Sequence, residues 1–135
     1  MNRLPGTVTA IQSAGHVALA DVEVAGGVMS ALLIESDSQT AHLKPGTRVL
    51  VLFQETEVSL AKGLAGLISL RNRLVTRVKR VDRGGVLTRA VLDYRGHEVT
   101  SVITTRSAER LQLAPGDEVE ALIKANEVTV VAEDT

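Results

Sequence analysis

The sequence predicts an all-β chain made of two tandem five-stranded barrels, each carrying one short helix. Three observations carry that prediction. The first is a repeat. Sliding the chain by seventy residues puts Asn2-Arg3-Leu4 on Asn72-Arg73-Leu74, Pro45-Gly46 on Pro115-Gly116, and Val49, Leu52, Glu57 and Val58 on Val119, Leu122, Glu127 and Val128. Comparing 1–65 with 71–135, 14 of 65 pairs are identical, which makes the chain two copies of one small unit. The second is composition. Hydrophobic residues make up 44% of the chain, nearly all of them Val, Leu, Ile and Ala, and Phe53 and Tyr94 are the only aromatics. An aliphatic, β-branched core favours sheet. The third is spacing: short apolar runs recur between glycine-containing turns, as in small barrels.

The elements follow in order. In copy one, Gly6 to Ile11, Val17 to Val24, Val28 to Ile34, Arg48 to Phe53 and Glu57 to Leu60 read as strands, with Gly26-Gly27 as a turn and Glu57 to Leu60 closing the unit. Copy two repeats this with Leu74 to Val81, Val86 to Tyr94, Glu98 to Thr104, Glu118 to Ile123 and Val128 to Val131, turning at Gly84-Gly85 and Arg95-Gly96. Ser107 to Leu113 breaks the pattern. It holds helix formers with apolar residues at 108, 111 and 113, Thr104 and Thr105 as N-cap candidates, and a stop at Ala114-Pro115-Gly116-Asp117. Its equivalent in copy one is Ser36 to Leu43. Five strands with a helix between the third and fourth describe an OB-like barrel. Lys62 to Gly66 is the linker, and the units divide as 1–64 and 65–135. A unit this small has a thin core, so the copies are expected to pack together and to oligomerise.

Several function classes are disfavoured. There are no cysteines, hence no disulfide or thiolate metal site, which fits a cytoplasmic protein. No apolar leader follows Met1, and no apolar run approaches the roughly 20 residues of a membrane span. His16, His42 and His97 lack metal-ligand spacing, and no Ser/His/Asp set, phosphate loop or HExxH motif occurs, so catalysis is not expected. Arg71, Arg73, Arg77, Lys79, Arg80 and Arg83 form a basic stretch. Single-strand binding on a barrel needs aromatics to stack bases, and Tyr94 is alone in this copy, so a solvated strand face is the better reading. Net charge is −1, too small to attract polyanions by bulk field.

The chemistry lies in what separates the copies. Copy two has Ser69-Leu70-Arg71-Asn72, where Met1 takes the place of Arg71 in copy one and no residue matches Ser69. Thr104 is replaced by Ile34, Ser107 by Asp37 and Lys124 by Gln54. Taken singly, Arg71 and Lys124 read as solvated charges, and Thr104 and Ser107 as helix caps. Jointly present in one copy and jointly missing from the other, they suit a small oxyanion. Cations balance its charge, hydroxyls and N–H groups satisfy its oxygens, and an unpaired buried charge would cost many kcal/mol.

These residues also form motifs: Ser69-Leu-Arg-Asn72, Val102-Ile-Thr-Thr-Arg-Ser-Ala-Glu-Arg-Leu111 and Ala121-Leu-Ile-Lys-Ala125. In that order they resemble the molybdate-binding Mop unit of the TOBE family. The likeness covers residues 67–131 well, and 2–60 weakly through the repeat. The resemblance implies an OB-like fold that binds molybdate or tungstate between units, with no further cofactor. It implies that Ser69, Arg71, Thr104, Ser107 and Lys124 face the ligand, with backbone N–H groups around Leu70 contributing. The family usually has Ala at the place of Leu70 and often Gly at that of Gln112. It also implies a cytoplasmic oxyanion buffer assembled as a trimer of the tandem chain. The alternative is a dimeric regulatory module of a molybdate-importer ATPase or a molybdate-responsive transcription regulator. That alternative draws on the abrupt start at Met1-Asn2-Arg3-Leu4 and on Glu57-Val-Ser-Leu-Ala61, which resembles the join ahead of the ATPase's unit.

Overall fold

The computed structural model describes residues 1–34, 43–64 and 66–133. It holds ten strands: β1 (Asn2–Ala14), β2 (Val17–Val24), β3 (Gly27–Ile34), β4 (Arg48–Phe53), β5 (Ser59–Ala61), β6 (Asn72–Arg83), β7 (Leu87–Tyr94), β8 (His97–Thr104), β9 (Glu118–Ile123) and β10 (Thr129–Ala132). One helix, α1 (Thr105–Arg110), follows β8, and single 3-10 turns occupy Glu55–Glu57 and Ala125–Glu127. The all-β class and the two five-stranded sheets agree with the sequence reading. The helix starts two residues earlier than expected, because Thr104 caps it directly. The helix expected over Ser36 to Leu43 lies outside the described residues except for Leu43.

The strand pairing corrects one expectation. The sheets run β10-β4-β1-β2-β3 and β5-β9-β6-β7-β8, all antiparallel. Glu57 to Leu60 therefore does not close its own unit. Ser59 pairs with Leu122 of copy two, and Thr129 pairs with Leu52 of copy one. Each copy lends its last strand to the other. One core results, running from Leu4, Val22 and Phe53 through to Leu92, Ile123 and Val130. This exchange supplies the burial that a unit of about 65 residues cannot find alone.

The repeat is visible atom by atom. β1 and β6 bend at matching bulges, Val8/Ala10 and Val78/Arg80. A bulge swings a strand, so one end of β6 can pair with β9 and the other with β7. The hairpins turn on Ala25-Gly26 and Arg95-Gly96, with both residues at positive φ, the geometry that matches strand twist. The first turn is thus one residue earlier than Gly26-Gly27. The two hairpin tips meet: Tyr94 Oη donates to Val24 O (3.1 Å) and Arg95 Nη1 to Ala25 O (3.0 Å). Each joins residues seventy apart, the signature of a pseudo-twofold axis. Gly27 is required there, since a Cβ would run into the Tyr94 hydroxyl.

Candidate functional site

Two corners of this pseudo-dimer hold the residues that distinguish the copies. The first lies where copy two begins. Asn72 pairs with Ile123, which leaves Arg71 and Lys124 as the next residues beyond the ends of β6 and β9. Lys124 is exposed, sits in extended backbone ahead of the 3-10 turn, and makes no ion pair with a described residue. That 3-10 turn packs on β3 of copy one. Ser69 is exposed and Leu70 half-buried on the approach to Arg71.

The corner is fixed by a buried amide. Asn72 Oδ1 accepts from Ser30 N (2.7 Å), and Asn72 Nδ2 donates to Ser30 O (3.0 Å). The side chain thus acts as one more rung on the free edge of β3. The second corner repeats the device: Asn2 Oδ1 accepts from Thr100 N (2.7 Å) and Asn2 Nδ2 donates to Thr100 O (2.8 Å). Each copy's entry strand is therefore stapled to the other copy's third strand. With the staple set, Arg71 Nε donates to Ser30 Oγ (3.2 Å), Ser30 Oγ donates to Asp21 Oδ1 (2.6 Å), and Arg71 Nη2 lies 4.0 Å from Asp21 Oδ1.

Thr104 and Ser107 belong to the other group. Thr104 Oγ1 accepts from Ser107 N (3.1 Å) and donates to Ser107 Oγ (2.9 Å). Thr104 is thus an N-cap, and the Ser107 hydroxyl keeps its proton to give elsewhere. Thr105 fixes the helix start by donating from N to Val86 O (2.8 Å) and from Oγ1 to Gly84 O (2.9 Å). Thr104 and Thr105 border an open cavity of about 440 Å³ with Gly85, Val86, Arg106 and Glu109. Thr104 pairs with Leu87, by the Arg83 end of β6, while Arg71 precedes its Asn72 end. Some 35 Å of strand contour separates those ends, at about 3.3 Å per residue. Ser69, Leu70, Arg71 and Lys124 are therefore brought together, and so are Thr104 and Ser107. No hydrogen bond between described residues joins the two groups.

Most of the basic stretch is already paired. Arg73 forks onto Glu120 (2.8 and 3.0 Å), Arg80 onto Asp82, and Lys79 reaches Glu98. Arg77 and Arg83 donate to the carbonyls of Gly116 and Leu113. The Arg73 hydrogen bond holds the Glu120 carboxyl below its ordinary value, and Lys62 does the same to Asp117, helped by the Ala114 N–H. Lys62 also donates to the carbonyls of Leu111 and Gln112, tying the linker to the end of α1. These pairs are structural. Among the described residues no cluster of three His, Cys, Asp or Glu is placed to hold a metal ion, and no helix is long and apolar enough to cross a membrane.

Sequence reasoning missed Asp21 and Ser30. A signal existed: Asp21 is acidic where copy two carries Val91, whereas the strand's other acid, Glu23, matches Asp93.

The sequence pattern of the TOBE domain matches twice, over residues 1–60 and 68–130. Molybdenum-pterin-binding protein MopA of Rhodobacter capsulatus is 36% identical over 124 residues, 90% of this chain and 45% of that protein. The molybdenum import ATP-binding protein ModC of Brucella abortus (strain 2308) is 34% identical over 108 residues, 79% of this chain and 28% of that protein. The chain thus spans less than half the length of either. Among solved structures, the cytoplasmic molybdate-binding protein ModG, crystallised with molybdate bound, superposes with a TM-score of 0.90 at 28% identity, covering 98% of this chain and 96% of that one. With both copies matched from first strand to last, the chain belongs to the TOBE domain family.

Proposed function

We propose that this chain binds molybdate or tungstate reversibly, as a cytoplasmic oxyanion buffer, and that its activity is binding rather than catalysis. The observation that carries this reading is the likeness to molybdate-bound ModG over almost the whole chain. The site we propose is the set confined to copy two: Ser69, the backbone N–H groups around Leu70, Arg71, Thr104, Ser107 and Lys124. Arg71 and Lys124 supply charge. The Ser107 hydroxyl supplies a free donor, with Thr104 orienting it. A tetrahedral dianion needs such a mixture, because a lost hydrogen bond to a charged group costs about 1.5–3 kcal/mol. Sulfate, being smaller, would leave donors unpaired and bind more weakly.

The two groups of this set sit at different corners of one chain, so a full shell forms where copy two meets copy two of another chain. Homo-oligomerisation, with the trimer favoured, is therefore part of the proposal. Residues 1–64, which lack the set, would serve packing and assembly, and residues 65–135 would carry the ligand.

Titration calorimetry with molybdate, tungstate and sulfate tests this. Heat with the first two, and little with sulfate, is expected. Arg71→Ala and Lys124→Ala should each weaken binding about 10- to 100-fold, the factor that 1.5–3 kcal/mol implies. Silence with both metal oxyanions would remove the reading, and unchanged binding by both variants would remove the site.

A further inference from the structure

The corner that carries Arg71 also carries its own anion. Asp21 Oδ1 on β2 accepts a short hydrogen bond of 2.6 Å from the Ser30 hydroxyl. The same hydroxyl oxygen accepts from Arg71 Nε at 3.2 Å, so Ser30 bridges carboxylate and guanidinium. The direct Arg71–Asp21 separation is 4.0 Å, at the outer limit of an ion pair, and the bridging hydroxyl makes the contact specific. Ser30 is held rigidly, because its N and O are both taken by Asn72.

The opposite corner shows that the device is not a by-product of the fold. Its frame is the same, with Asn2 stapled to Thr100. Met1 stands in the place of Arg71, and Val91 in the place of Asp21. The Arg71–Asp21 arrangement has no counterpart at the equivalent positions, where Glu55 pairs instead with the Met1 α-ammonium and Arg89 (3.4 Å each). The Arg71 side chain is 59% exposed, so burial does not force it to seek a counter-charge. An exposed pair of this kind adds little to stability, so its consequence falls on whatever anion Arg71 meets.

We propose that Asp21, acting through Ser30, is an internal counter-anion that competes with the bound oxyanion for Arg71 and sets the affinity of the site. The inference rests on the oxyanion reading above. In the resting chain the carboxylate neutralises the guanidinium and holds it over β3. An arriving dianion must displace that contact, so Asp21, acting through Arg71, weakens binding and speeds release. Ser30 and Asp21 are positioning residues and do not touch the ligand.

Calorimetry with molybdate on the full chain tests the proposal. Asp21→Asn keeps the shape and removes the charge, and should tighten binding about three- to tenfold, the scale of one partly screened charge at this range. Asp21→Val, which installs the residue of copy two, guards against an unstable first variant and should tighten binding as well. The decisive readout is coupling. In an Arg71→Ala background the gain from Asp21→Asn should vanish, whereas a general structural effect would persist. Wild-type binding with an equal or weaker Asp21→Asn constant, or a gain that survives without Arg71, overturns the inference. A wild-type chain that takes up no molybdate overturns the oxyanion reading instead.

Discussion

At the corner where copy two begins, Arg71 and Lys124 stand beside β3, with Ser30 and Asp21 answering the arginine. At the corner where copy one begins, Met1 and Gln54 fill the same places, and the acid nearby is Glu55, paired with Arg89 (3.4 Å). Beneath both lies one frame: an asparagine stapled by two hydrogen bonds to the opposite third strand. The difference separates two kinds of constraint. A buried amide with two backbone partners cannot change without leaving those partners unpaired, so Asn2 and Asn72 are the same residue. The exposed positions above them are free to diverge, and there the copies part.

The largest effect should come from dividing the chain. Residues 66–135 lack β5, so the edge of β9 that Ser59 to Ala61 covers is left open, and β10 has no β4 to join. Two such fragments can exchange β10 between them, since Thr129 matches Ser59 at a shift of seventy residues. The fragment should be dimeric by sedimentation. Each of its corners would then unite Arg71 and Lys124 of one fragment with Thr104 and Ser107 of the other. A folded monomer would break the comparison at its root.

The next effect tests whether the two frames are equal. Asn72→Ala strands Ser30 N and O, and Asn2→Ala strands Thr100 N and O, all at buried residues. Each should cost about 2–4 kcal/mol in urea unfolding, two unpaired groups at about 1–2 each. Equal losses sharpen the picture of one frame bearing two chemistries. A loss at Asn72 alone would mean that the frame itself has specialised.

How much of this was legible follows from which signals are local. β2, β4 and β9 fall at the residues expected, because alternation between turns fixes both ends. The 3-10 turns Glu55–Glu57 and Ala125–Glu127 were not expected, since three residues are too few to show a period. The strand exchange was not legible for a sharper reason. Ser59-Leu60-Ala61 pairs with Leu122-Ala121-Glu120, yet its own unit offers Leu52-Val51-Leu50, so both edges accept the same strand. A repeat hides which partner is taken. The Asp21–Ser30–Arg71 bridge was hidden because it joins residues 9 and 41 positions apart, on two strands and the approach to a third. The candidate residues themselves were legible because comparing the copies subtracts the frame and leaves the differences.

The smallest effect concerns a helix end in copy two, where the backbone rather than a charge decides. Gln112 has φ 51°, in the left-handed region, directly after α1. Leu113 N donates to Ala108 O (3.1 Å) and Gln112 N to Glu109 O (3.0 Å), which ties off the free carbonyls of the helix. That cap wants glycine, because a Cβ in this region costs about 1–2 kcal/mol, against roughly 0.5–1 for the extra freedom glycine loses. Gln112→Gly should therefore raise stability by about 0.5–1 kcal/mol, read as a shift in the urea midpoint at constant slope. Oxyanion affinity should stay level, because Thr104 and Ser107 are held at the opposite end of the helix by their own bonds and by Thr105. A change in affinity without a change in stability would mean that the cap, and not the N-terminal turn, positions the hydroxyl pair.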